Sequence, residues 1–195
     1  MTRVLTVTTA LLLVAVFAMG VYLQVLRRNE RQRAQSAPDT RPISAPVVGP
    51  PSRVTLYLAY DDPGVLRAQD VTVALPEDPA LRGREILHVL LGEYVKRPSS
   101  HELPAGADVK DVYLVNGNMA VVDMTPVFAD GHRSGVFVET LTVASMVKTL
   151  TANLSGVTRV KILVDGKERE TLAGHADLEG FYDVVALEPL LEQLR

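Results

Sequence analysis

From Val4 to Leu26 the chain carries no charged residue, and Leu, Val and Ala dominate the run. As a helix these 23 positions span roughly 34 Å, enough for a hydrocarbon core of about 30 Å. A cleavable signal would supply only about 7–15 apolar residues, so residues 1–27 are read as an uncleaved transmembrane anchor in contact with membrane through 4–26. Arg27, Arg28, Arg31 and Arg33 follow the span, and only Arg3 and the amino terminus precede it. That flank suits anionic headgroups or simply sets depth. Counted alone, it favours a cytoplasmic domain, but long C-terminal domains translocate with little regard to flanking charge.

Residues 28–52 form a basic and then proline-rich linker, with Pro38, Pro42, Pro46, Pro50 and Pro51 and no apolar period. Such a stretch favours an extended, polyproline-like stalk. Beyond it the charge balance reverses. Of 20 Lys+Arg and 23 Asp+Glu in the 195-residue chain, residues 1–52 hold 6 and 2, leaving 14 and 21 for 53–195. A domain at −7 argues against nucleic acid as a partner, because phosphate binding needs a basic face. With no Cys in the chain, disulfides, thiol nucleophiles and Cys-ligated metals are excluded.

Within 53–183 the hydrophobic period changes repeatedly. Val54, Leu56, Leu58 and Tyr60 alternate as in a strand, and Val71, Val73 and Leu75 repeat the pattern. Asp78 and Pro79 open a helix with its apolar stripe at Leu87, Leu90, Leu91 and Tyr94, which Gly83 weakens. Asn116-Gly117 lies between Val112–Val115 and Met119–Val122, a strong hairpin signal because both central residues of a type I′ turn take positive φ. A polar loop over 128–133 leads to Ser134, the expected cap of a second helix with Phe137, Leu141, Ala144 and Lys148 on one track. Its β-branched residues suit a strand equally well. Val160, Ile162 and Val164 run into Asp165-Gly166, a second hairpin turn, after which Lys167–Leu172 is expected to return as an edge strand. Leu187, Leu190, Leu191 and Leu194 mark a short C-terminal helix over 184–195. The expected fold is α+β, a mostly antiparallel sheet with two helices packed on one face, preceded by one transmembrane helix.

The opening strand RVTLYLAY, the LLGEY that ends the first helix, the hairpin DVYLVNGNMAVVDMT and the ending VKILVDGKERETLAGHADL together resemble the GerMN domain family of spore-germination and sporulation proteins. The resemblance covers 53–183 as a single copy, and its most specific part is Asp165, Gly166, Gly174, His175, Asp177 and Leu178. Two positions depart from it: Gly92-Glu93 stands where members carry Gly-Pro, and Glu179-Gly180-Phe181 where they carry Ser-Arg-Pro. The resemblance implies an extracytoplasmic interaction or scaffolding module of the bacterial cell envelope, similar to ring-building folds, with other envelope proteins and self-association as its contacts. It also favours export of the domain from a single-pass cell-membrane anchor, and it does not imply sporulation here.

The histidines His88, His101, His132 and His175 form no metal-ligand motif. His175 with Asp177 reads either as half of a metal or acid–base site or as a turn bonding its own backbone. Asp123, with Thr125 beyond it, and Glu139 are a carboxylate pair that a glycoside hydrolase would need about 5–10 Å apart, or else a strand-end and a helix-start residue in structural roles. The rival to the interaction reading is a cell-wall peptidoglycan hydrolase or carbohydrate-binding accessory using Asp123, Glu139 or His175. Residue types and spacings favour the non-enzyme, with no catalytic, cofactor-binding or metal residue.

Overall fold

A computed structural model describes residues 49–187, which belong to the second of the two units, Pro46–Arg195, into which the chain divides. The expected span, its arginine flank, most of the linker and Leu190, Leu191 and Leu194 lie outside the described residues. Among the described residues no helix is long and apolar enough to cross a membrane.

The elements are β1 (Pro51–Tyr60), β2 (Val65–Ala74), α1 (Pro79–Val95), β3 (Val109–Val115), β4 (Met119–Met124), α2 (Pro126–Asp130), α3 (Val136–Asn153), β5 (Arg159–Val164) and β6 (Tyr182–Asp183). Residues 184–187 are helical. The start and stripe of α1 are as its sequence requires. Asp78 accepts the Leu81 N–H at 2.8 Å with Pro79 in the first turn, and Leu87, Leu90, Leu91 and Tyr94 are buried. Gly83 does more than weaken this helix: a Cβ there would stand 3.0 Å from Leu154 and 3.3 Å from Val112. Its missing side chain lets α1 approach β3 and the end of α3.

The fold is α+β, but it is built from two sheets rather than one. β1 and β2 form a two-stranded antiparallel ribbon, and the other four strands lie in the order β3-β4-β5-β6. β4 and β5 are parallel, because α3 carries the chain back across the sheet before β5 begins. The division into two sheets has a cause in how the edge of β1 is paired. The edge of β1 facing away from β2 is occupied by side chains of α3 and α1 instead of by another strand. Asn153 accepts the Thr55 N–H at 3.0 Å and donates to the Thr55 carbonyl at 2.8 Å. Thr149 Oγ1 accepts the Tyr57 N–H at 2.9 Å, and Ser145 Oγ donates to the Tyr57 carbonyl at 2.6 Å. Tyr94 Oη accepts the Ala59 N–H at 2.8 Å, and Ser100 Oγ donates to the Ala59 carbonyl at 2.8 Å. Four helical residues rise about 6 Å and two strand residues about 6.8 Å. Side chains at i, i+4 and i+8 of α3 therefore track the edge of β1, Ser145 and Thr149 at Tyr57 and Asn153 at Thr55.

α3 settles its own ambiguity by burial, since every residue from Leu141 to Val147 is inaccessible. A helix apolar on most sides is one that packs on most sides. Phe137, expected on the core track, is 50% exposed and covers Gly64 in the β1–β2 turn. Ser134 is not the cap. Gly135 holds that position, and Glu139 reaches back to accept its N–H at 3.0 Å. The first half of the expected polar loop belongs instead to α2, which begins at Pro126 and buries Phe128. β1 also starts at Pro51, two residues before the expected boundary.

Both turns have the expected backbone: φ is 53° and 72° at Asn116 and Gly117, and 55° and 70° at Asp165 and Gly166. The first loop is longer than two residues, because Val115 pairs with Met119, and the Asn118 carbonyl turns to accept the Thr158 and Arg159 N–H groups. The second closes with the Val164–Lys167 bridge and goes no further. Lys167–Leu172 does not continue as a strand, because the chain pairs with itself as a loop, Leu172 N–H to the Ala176 carbonyl and Leu178 N–H to the Glu170 carbonyl. Tyr182–Asp183 takes the place beside β5.

Thr149→Val keeps the shape of the side chain but leaves the Tyr57 N–H unpaired, and is expected to cost about 1–3 kcal/mol. Thr151→Val removes only bonds to carbonyls of its own helix, at Val147 and Lys148, and should stay within about 0.5 kcal/mol. Equal denaturant midpoints for the two variants would refute the edge-covering role of α3. Gly117→Val and Gly166→Val each place a β-branched residue at positive φ and should lose about 1–3 kcal/mol. Unfolding midpoints check this directly, and unchanged values would contradict the turn geometry.

Candidate functional site

The start of α3 places Glu139 inside the protein, fully inaccessible to solvent. Its carboxylate is surrounded by donors. Oε1 accepts the Gly135 N–H and His175 Nδ1 at 3.0 and 2.9 Å, and Oε2 accepts the N–H groups of Ala173, His175 and Ala176 at 3.0, 2.9 and 2.9 Å. Burial by itself raises this carboxyl, but the bonds from Gly135, Ala176, His175 and Ala173 together outweigh it and hold the pKa down at about 2. The LAGHAD stretch is therefore a loop wrapped on one buried anion. Its Asp177 accepts the Glu179 N–H at 2.7 Å, as the turn reading has it, whereas the His175 ring meets the Glu139 carboxylate instead of backbone.

Asp123 and Glu139, which read either as a hydrolytic carboxylate pair or as residues in structural roles, both bond backbone N–H groups here. Asp123 lies on the opposite face of β4 from Val122 and Met124, where its Oδ1 accepts the Gly166 N–H at 2.6 Å and fixes the second turn. Glu139 instead meets His175, which nothing in their spacing of 36 residues announces. Lys161 is a further buried residue that pattern reading passed over. Its Nζ donates to the carbonyls of Leu178 and Glu179 and pairs with Glu168, which ties the C-terminal segment to β5.

Ser134, His175 and Glu139 lie together, but not as a relay. Ser134 Oγ is 3.4 Å from His175 Nδ1, the same nitrogen that meets Glu139. A nucleophile relay needs the hydroxyl on the other ring nitrogen. Glu139 has no free lone pair directed outward and no water access, so it lacks what a general acid or base requires. Among the described residues no group of three His, Cys, Asp or Glu is placed to hold a metal ion.

Beside this anion, His101 and His132 are both buried. His101 lies between Asp61 and Thr142, and His132 between Thr142 and the Arg133 carbonyl. Burial pushes both imidazoles down, opposed at His101 mainly by the Asp61 hydrogen bond. His88 is exposed against Asp108. Glu139, Thr142, Ser145, Thr149 and Asn153 thus form one polar stripe along α3. It was readable as a helical period of polar residues within an apolar segment.

The Germane family, described as sporulation and spore germination, matches residues 55–170, which is 116 of the 195 positions. The chain belongs to this family. Among solved structures, the tandem GerMN domains of the sporulation protein GerM from Bacillus subtilis align at 20% identity and a TM-score of 0.50, covering 67% of this chain and 45% of that one. The Germane chain thus spans less than half the length of that tandem protein. The first GerMN domain of the same protein aligns at 19% identity and TM-score 0.45, covering 66% and 94%. A provisionally assigned lipoprotein from Clostridium perfringens aligns at 16% and 0.47, covering 73% and 93%. At such identities the likeness concerns the fold alone. No curated protein matches the chain. The matched stretch contains Glu139 but ends before the Ala173–Ala176 loop that this Germane domain seats upon it.

Glu139→Gln replaces an acceptor by a group that turns an N–H toward backbone donors, and should lower stability near pH 7 by roughly 2–4 kcal/mol. The folded pKa lies below the ordinary value of 4.5, so the carboxylate's contribution is full above that value and is lost as pH falls toward about 2. Denaturation of wild type and variant across this window should show the difference shrinking with acid. A constant difference would contradict the anion's role.

Proposed function

We propose that this Germane protein is a membrane-anchored, extracytoplasmic module of the cell envelope that works by binding or scaffolding other envelope proteins. The observation that carries this reading is the use of Glu139. The best-placed carboxylate of the domain is consumed by backbone N–H groups of its own loop, so the residues with most chemical capacity build a shape. Asp123 is likewise spent on the Gly166 turn. The uncharged run from Val4 to Leu26 supplies the anchor, and the proline-rich linker the reach. The family's description, sporulation and spore germination, is compatible with such a role and names no reaction.

One observation favours the rival, peptidoglycan-directed reading. His175 is 41% exposed, and with its Nδ1 proton directed to Glu139 its Nε2 is left for an external group. Two measurements decide. Alkaline phosphatase fused after Arg195 should be active in cells whose membranes retain the full-length protein, and an inactive fusion would overturn the topology. The purified full-length protein should release no fragments from peptidoglycan. Release that His175→Ala abolishes without altering the melting temperature would establish the hydrolase instead.

A further inference from the structure

Four short contacts run in series through the interior beside α3. Asp61 Oδ1 meets His101 Nδ1 at 2.6 Å, and His101 Nε2 meets Thr142 Oγ1 at 2.7 Å. Thr142 Oγ1 meets His132 Nε2 at 2.8 Å, and His132 Nδ1 meets the Arg133 carbonyl at 2.8 Å. The Arg133 guanidinium returns to Asp61 Oδ2 and closes the series into a ring. Its members come from the end of β1, the α1–β3 loop, the α2–α3 connection and α3 itself, so the ring joins four separate stretches of chain.

The hydrogens do not balance when both imidazoles are neutral. A carboxylate and a carbonyl only accept, a neutral imidazole has one N–H, and threonine has one O–H. Four contacts then share three hydrogens, and the Val138 carbonyl, 3.0 Å from Thr142 Oγ1, competes for one of them. At least one contact must set two lone pairs face to face. One added proton removes the conflict. Each ring then donates from Nδ1 outward, to Asp61 or to the Arg133 carbonyl. One ring also donates from Nε2 to Thr142 Oγ1, and the hydroxyl donates to the other ring's Nε2.

We propose that His101 and His132 form a single buried proton-binding site that shares one proton through Thr142 Oγ1 and holds it near neutral pH. The charged and titratable groups facing the pair are Asp61 from the end of β1, Tyr94 from α1, Arg133 from the α2–α3 connection and Glu139 from α3. Asp61 and Glu139 favour the added positive charge, and Arg133 opposes it. Burial disfavours charge on each ring taken singly. With ring centroids 6.4 Å apart, a second proton meets both that cost and the first charge. The site therefore takes one proton and refuses the next.

The test is nuclear magnetic resonance of the full-length protein in detergent micelles, labelled with 15N at histidine, with His88 and His175 assigned through their Gln variants. Ring nitrogen shifts distinguish imidazolium from each neutral tautomer. Near pH 7 the wild-type pair should carry one proton, with both Nδ1 atoms protonated. Thr142→Val removes the bridge and should abolish the imidazolium signal at that pH, while Thr142→Ser retains it. Two neutral rings in the wild type would overturn the proposal, as would equal protonation with and without the Thr142 hydroxyl. If Thr142→Val does not fold, the wild-type titration decides: one proton held jointly supports the shared site, and two independent titrations refute it.

Discussion

A strand with an open edge must find partners for its outward N–H and C=O groups, because burying them unpaired costs more than most single contacts return. In this domain β1 finds them on a helix. Asn153, Thr149 and Ser145 of α3, with Tyr94 of α1 and Ser100 beyond it, occupy the positions that a neighbouring strand would fill. Because these partners are side chains, the sheet stops at β1, and β3 belongs to a second sheet. The two-sheet architecture and the burial of α3 follow from this substitution.

The same helix face continues beyond β1. Thr142 engages two histidines, and Glu139 gathers the Ala173–Ala176 loop. Polar groups inside a low-dielectric interior are costly unless satisfied and specific when satisfied. Among the described residues no buried side-chain polar atom lacks a partner. A helix that presents such a row to four different segments fixes their relative register more narrowly than apolar contact, which has no preferred direction, would do. The Glu139 carboxylate in that row faces the protein's own backbone.

Much of this domain was legible locally. The Asp78 cap, the Leu87–Tyr94 stripe and the positive φ at Asn116-Gly117 and Asp165-Gly166 depend on neighbours within a few residues, where steric and capping rules act. The candidate site was legible only in its parts. Glu139, His175 and Asp177 were recognisable as residues with chemical capacity. The strand-end position of Asp123 suited a structural role, but nothing local named Gly166 as its partner. The polar period Glu139–Asn153 was present in the sequence, but attention to apolar spacing passes over it.

By itself, then, the sequence determined the α+β class, most of the elements, the turn conformations and the family, because these depend on short-range sterics, hydrophobic period and local motif. Only the tertiary structure decided how the elements share partners. It split the sheet at β1, made β4 and β5 parallel, turned Lys167–Leu172 from a strand into the neck of a loop, and brought His175 to Glu139. The sheet split, the parallel pairing and the meeting of His175 with Glu139 are competitions for hydrogen-bond partners between groups 34 or more residues apart, as Tyr94 and Ala59 or Glu139 and Ala173 are, while the loop neck closes on nearer neighbours, Leu172 on Ala176 and Leu178 on Glu170. No local rule ranks such competitors, since their distance exists only after the chain has folded.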